Sequence, residues 1–176
     1  EPARAALAEW QVGGGRLDAP LEIVHDDSPD DVAIGQALVA QLEAVGIPAR
    51  SVGLPAAEYV EAVARGTCQV CWRTWSSTVP TSGGLARQLL SQDDVTPGNT
   101  GGYVSPSVAR GLEQAAAVRD PAERATAYRE VEALALADGA VVPVLWTAGD
   151  YLYNERVTAL PQHMSGLVSW ERATVP

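Results

Sequence analysis

The chain has 176 residues, 47% of them hydrophobic, and a formal net charge of −10; that is enough apolar material for one ordinary core or two small ones. Its basic side chains are all arginine and lie scattered, so no basic run or face argues for a nucleic-acid groove. No stretch approaches the roughly 20 apolar residues of a membrane span, and an acidic surface suits a soluble monomer.

"EPARAALAEW" opens the chain inside a helical pattern, with no signal peptide or lipid-attachment cysteine before it. A processed or truncated chain is expected, with any export signal upstream. The "GGG" at 13–15 lacks the strand-turn-helix setting of a dinucleotide site and reads as a loop. Leu21–Val24 reads as a short strand. "SPDDVAIGQALVAQLEAVG" then reads as a helix, with Ser28 as cap, Pro29 at the first position and Asp31 closing a capping box. Val32, Gly35, Leu38, Val39, Leu42 and Val45 form its apolar stripe, and Gly46 ends it.

"IPARSVGL" alternates as a strand, "PAAEYVEAVARG" is a short helix closed by Gly66, and "CQVCWRTW" reads as a third strand. Strand, helix, strand, helix, strand is an α/β layout. From Ser76 to Gly102 the chain is rich in Ser, Thr, Pro, Gly, Asp and Asn, interrupted by the helical run "GGLARQLLS". Two capped helices follow, one opened by Ser105 and Pro106, the other by Asp120, Pro121 and Glu123. The second carries the apolar stripe Ala125, Tyr128, Val131 and Leu134, and Gly139 ends it. "AVVPVLW" and "DYLYNERV" read as paired strands, and the tail shows too little periodicity to place.

Chemistry-bearing patterns are sparse. Cys68-Gln-Val-Cys71 has the spacing of a redox pair or half a zinc site. Further zinc ligands are wanting, since the two histidines, His25 and His163, lie far off in sequence. On a strand, residues three apart face opposite sides, so a disulfide would demand a sharp bend. Structural, buried cysteines are the expectation. His25 beside Asp26 and Asp27 has the residue types of acid-base work, but the cluster reads better as a solvated turn ahead of a capped helix. No activated nucleophile or phosphate loop is recognisable.

Trp72 and Trp75 remain. They end the third strand and open a loop of small and hydroxyl residues. In open α/β sheets ligands collect beyond the carboxyl ends of the strands, and aromatic surface beside hydroxyl donors suits a ligand of mixed polarity. Being three apart, the rings should face opposite sides: one in the core, one lining a surface. Both in the core is the competing reading.

The order "QLEAVGI", "EYVEAVARGTCQVCWRTW", "NTGGYVSPSV", "DPAERATAYREVEALALADGAVVPVLW" and "YLYNERVTAL" resembles the C-terminal lobe of the family 5 extracellular solute-binding proteins, the peptide- and nickel-type receptors of ABC importers. The resemblance implies an α/β lobe of a two-lobe, periplasmic-binding-protein-like (cluster C) fold, with a mixed sheet flanked by helices. Residues 1–160 would be that lobe and 161–176 a tail returning toward an N-terminal lobe absent from this chain. It further implies a protein without catalysis, cofactor or metal, exported and lipid-anchored or periplasmic, closing on its solute by hinge motion and delivering it to permease subunits. Stacking would come from Trp75, hydrogen bonds from Thr74, Ser76, Ser77 and Thr78, and further contacts from Asn99 and Tyr103.

Two departures bear on specificity. Thr78 stands where peptide-binding members carry an aspartate for the ligand's amino terminus, and Trp72 where some carry an arginine. An unpaired buried ammonium costs several kcal/mol. A neutral, aromatic site would suit a sugar, a glycoside, a lipid headgroup or a blocked peptide. The alternative implied by the same scaffold is that of actinobacterial envelope lipoproteins that act as regulators through protein contacts.

Overall fold

The computed structural model describes residues 1–75, 82–91, 98–146, 154–157 and 174. The chain divides into two compact units, Glu1–Thr74 and Trp75–Pro176. The expected boundary between 160 and 161 lies outside the described residues, as do Ser76, Ser77 and Thr78.

The first unit contains α1 (Pro2–Val12), β1 (Leu21–Asp26), α2 (Pro29–Val45), β2 (Ala49–Leu54), α3 (Ala56–Ala64) and β3 (Val70–Cys71). The strands form a parallel sheet in the order β2-β1-β3. Leu21 pairs with Ala49 and Asp26 with Leu54, while Ile23 and Val24 pair with Val70 and Cys71. Parallel pairing requires crossover connections, and α2 and α3 supply them.

As the central strand of such a sheet, β1 is covered on both faces, and Ile23, Val24 and His25 are buried in succession without alternation. His25 therefore belongs to the strand interior and not to a solvated turn: it is 1% exposed. Its Nδ1 lies 2.6 Å from the Asp26 carbonyl oxygen and its Nε2 2.6 Å from Ser51 Oγ. A carbonyl oxygen can only accept, so Nδ1 donates to it, while Nε2 shares a hydrogen bond with the Ser51 hydroxyl. Gly35 makes room for this ring. A Cβ there would sit 2.6 Å from Cδ2 and Nε2, which explains a glycine inside an otherwise apolar stripe whose larger members are half-buried.

The expected capping box is realised in part. Ser28 Oγ accepts the Asp31 amide, but the Ser28 amide donates to Asp26 Oδ1. That bond to Ser28 holds the Asp26 carboxyl below its ordinary value. Asp31 instead accepts Trp72 Nε1–H at 2.7 Å. Gly46 ends α2 with φ of 98°, a left-handed conformation that other residues rarely adopt. At the N-terminus the α1 residue Arg4 donates to the carbonyl of Ala44 at 2.7 Å.

The third strand is much shorter than "CQVCWRTW" suggested. It begins at Val70, after a bend at Gln69, and its ladder ends with the Trp72 amide donating to Val24. Cys68 consequently precedes the strand. Neither cysteine is fully buried, contrary to expectation.

The second unit is built on α4 (Ser82–Leu90), α5 (Pro106–Ala117) and α6 (Pro121–Ala137). Its core comprises Leu90, Val108, Leu112, Ala115, Tyr128, Val131 and Ala135. Gly83 lets α4 approach the Tyr128 ring, and Gly111 lets α5 approach Val131, whose Cγ2 would lie 2.6 Å from an added Cβ. Ser105 accepts the Val108 amide, and Asp120 accepts those of Ala122 and Glu123 at 2.9 Å. These are the expected caps.

The stripe on α6 differs from the sequence reading at one position. Ala135 is 1% exposed, whereas Leu134 is 50% exposed. Tyr128, Val131 and Ala135 follow the helical repeat of three then four residues, and Leu134 falls to the flank. The expected strand "AVVPVLW" is not formed over 141–146, and Trp146 is largely exposed there. Pro143 cannot donate to a ladder, while its expected partner, 150–157, is described only at 154–157, where the chain turns.

Candidate functional site

The segment that leaves the carboxyl end of β3 carries the tryptophans. The backbone and indole of Trp72 are tied to three elements: its amide donates to Val24 of β1, its carbonyl accepts Tyr59 Oη–H from α3 at 2.5 Å, and its indole donates to Asp31 of α2. Partial burial, first, and the nearby Cys71 raise the Tyr59 hydroxyl's pKa, so it stays a donor at any physiological pH. Trp72 is thus a structural member of the first unit. Thr74, two residues on, is exposed.

Trp75 belongs to the second unit. It is half-buried, and its Nε1–H donates to Gln88 Oε1 of α4 at 3.1 Å. Asn99 and Tyr103 brace a loop. Asn99 Nδ2 donates to the Tyr103 carbonyl at 2.7 Å, and the Tyr103 amide returns to Asn99 Oδ1 at 2.9 Å. The Tyr103 hydroxyl donates to Asp138 at 2.5 Å, a bond that raises its pKa. Gly102, with φ of 64°, makes the turn between them. The seven candidate residues therefore divide: Trp75, Asn99 and Tyr103 in the second unit, Thr74 in the first, and Ser76, Ser77 and Thr78 outside the described residues.

An open groove of about 310 Å³ runs between α5 and α6, lined by Ser107, Arg110, Gln114, Glu130 and Leu134 among others. It includes none of the candidate residues. Among the described residues, no group of three or more His, Cys, Asp and Glu side chains is arranged to hold a metal. The contact between Ser51 and His25 has the distance of a nucleophile and its base, but the ring is sealed inside the sheet, where no substrate reaches it.

Sequence reasoning missed Asp31 and Gln88 as indole acceptors and Asp138 as the anchor of Tyr103. Asp31 carries the signal of a capping acid, which concealed its second use. Gln88 and Asp138 carry no local signal, because their partners are 13 and 35 residues away.

No protein-family model matches the chain, and no curated protein matches it. Solved structures do. The pheromone receptor PrgZ, in a structure describing its mode of peptide binding, aligns over 99% of this chain with a TM-score of 0.75 and 16% identity. HbpA2 from Haemophilus parasuis aligns over 98%, with a TM-score of 0.74 and 18% identity. Haemophilus influenzae OppA in complex with the peptide RPPGFSPFR aligns over 80%, with a TM-score of 0.71 and 19% identity. The chain shares the fold of a portion of each of these proteins. It spans 33%, 34% and 28% of those three structures respectively. The α/β class and the likeness to solute-binding receptors expected from the sequence are both borne out at the level of fold. Among the described residues, no helix is long and apolar enough to cross a membrane.

Proposed function

We propose that this chain is the C-terminal lobe of a solute-binding receptor that serves an ABC-type importer outside the cytoplasm and holds a peptide-like or other neutral, amphiphilic solute without catalysing a reaction. The observation that carries this reading is alignment over 99% of the chain with PrgZ, a receptor whose structure describes peptide binding. The site would be built on the segment leaving β3. Trp75 is oriented by Gln88 and would stack on the solute, with hydroxyls from Thr74, Ser76, Ser77 and Thr78 around it. Asn99 and Tyr103 would hold the neighbouring loop and contact the solute from it. The lobe requires an N-terminal partner lobe of the same protein, and residues 161–176 would return toward it. Closure would be a population shift driven by contacts made only in the closed state. Lipid anchoring would come through sequence upstream of this chain, and the receptor would deliver its solute to permease subunits.

Native mass spectrometry of the parent protein, carrying its natural upstream sequence and purified from its own host, tests the reading. A co-purified solute that the Trp75→Ala variant lacks supports it. A bare protein mass, unchanged by pools of peptides and oligosaccharides, overturns it.

A further inference from the structure

We infer that Cys68 and Cys71 are a disulfide-forming pair, closed across the bend at Gln69. On a straight strand these residues would be separated by about 10 Å and would face opposite sides of the sheet. The chain does not run straight here. Gly66, with φ of 62°, turns it out of α3, the Thr67 amide and hydroxyl both bond back to the Ala62 carbonyl, and the backbone bends at Gln69 before β3 begins. The bend is pinned from the sheet side, because Gln69 Oε1 accepts the Glu22 amide of β1 at 2.9 Å. Both thiols are free and half-buried, and the Cys68 side chain lies near enough to act on the Cys71 thiol.

The bend shortens that separation, and the two thiols already interact, so ring closure asks for a local adjustment of the chain and of the two side chains toward disulfide geometry. Two thiolates alone complete no zinc site, and among the described residues no third ligand joins them.

Ring closure needs an oxidant, and a small-molecule or protein disulfide such as oxidised glutathione supplies it. One protein thiolate attacks the glutathione disulfide, releasing one glutathione thiolate and leaving a mixed disulfide. The second protein thiol gives its proton to solvent and attacks the protein sulfur of that mixed disulfide, releasing the second glutathione. Two electrons thus pass from the protein to one glutathione disulfide. Burial, first, and the hydrogen bond from Cys68 push the Cys71 thiol up to about 12. A raised thiol pKa slows attack near neutral pH, so ring closure should speed up as pH rises. Persistence of the bond in the cell rests on the extracytoplasmic location proposed above, where oxidants prevail; its formation in a defined redox buffer does not.

The test uses the reduced parent protein, equilibrated with mixtures of reduced and oxidised glutathione, quenched with iodoacetamide and digested with trypsin. Cleavage after Arg65 and Arg73 places both cysteines on one peptide, Gly66–Arg73. The expected result is an unalkylated peptide lighter by about two hydrogens, from monomeric protein, appearing as the oxidised fraction rises. Cys68→Ser and Cys71→Ser should each abolish the ring-closed peptide and leave the remaining thiol alkylated or carrying glutathione. Doubly alkylated peptide at every ratio, glutathione on both cysteines without ring closure, or intermolecular dimers alone would each overturn the pairing. Because no solute enters the experiment, its failure leaves the receptor reading standing, and failure of the receptor reading leaves the wild-type redox result interpretable.

Discussion

The two units are stabilised by different means. In Glu1–Thr74 the buried apolar set is small, namely Ile23, Val24, Ala49 and Val63, and polar side chains reach across elements: His25 to Ser51, Tyr59 and Trp72 to one another, Trp72 to Asp31, Gln69 to β1. Among the described residues of Trp75–Pro176, a contiguous core of seven side chains interlocks three helices, with Gly83 and Gly111 permitting close approach. A unit held by directed hydrogen bonds fails when one partner is removed, since the other is left buried and unsatisfied. A unit held by packing fails by the volume removed. The tryptophans at the junction should show this difference.

The largest effect is expected in the helical unit. Tyr128→Ala deletes the ring that both α4 and α5 pack against and should lower stability by about 3–5 kcal/mol, read from chemical denaturation. In the sheet unit, Gly35→Ala forces a methyl into the His25 ring and should cost about 1–3 kcal/mol, while Gly35→Ala combined with His25→Ala should recover part of that loss. Additive losses in this pair would break the account of the β1–α2 contact. For the tryptophans, Trp72→Phe keeps an aromatic ring but strands Asp31 and should cost about 1–2 kcal/mol; Trp75→Phe should cost less, since its acceptor is a neutral amide. Asp120→Ala should remove about 1 kcal/mol through the lost α6 cap.

The smallest effect concerns pH. The Asp26 carboxylate is stabilised in the fold by its bond to the Ser28 amide, so its folded value lies below its unfolded one. The stability it contributes is fully present above about pH 4 and is lost as pH falls through the lowered value. Asp26→Asn should flatten the acid limb of a thermal-melt series against pH; an unchanged limb would place the acid sensitivity elsewhere.

Much of this architecture is legible in the sequence, for physical reasons. Ser105, Asp120 and their following prolines fix helix starts by local hydrogen bonds, which depend on a few adjacent residues. Gly46 fixes a helix end through its own backbone. What escaped detection depends on distant partners. His25 looked like a turn residue because its burial comes from β2 and α2, not from its neighbours in sequence. The apolar run from Cys68 to Trp75 looked like a strand because hydrophobicity carries no information on where a ladder starts and stops; the bend at Gln69, whose side chain is pinned to Glu22, delays the start to Val70, and the ladder stops at the Trp72 amide. Trp75 could be picked out as a candidate for stacking on a ligand, but Gln88, which accepts its indole N–H, could not. The same limit applies to Leu134 and Ala135, whose choice of face depends on how α5 lies against α6.

The central claim, a receptor lobe with Trp75 on the solute side and Trp72 on the structural side, is tested most directly by isothermal titration calorimetry of the parent protein. The titrants are pools of short peptides, one with free termini and one N-acetylated and C-amidated, run against wild type and Trp75→Ala, with thermal unfolding of each. Saturable binding of the blocked pool by wild type is expected, weakened by about tenfold or more in Trp75→Ala at a nearly unchanged unfolding temperature. Binding that Trp75→Ala leaves intact, no saturable heat from these pools or from a pool of oligosaccharides, or a marked fall in the unfolding temperature of Trp75→Ala would contradict it.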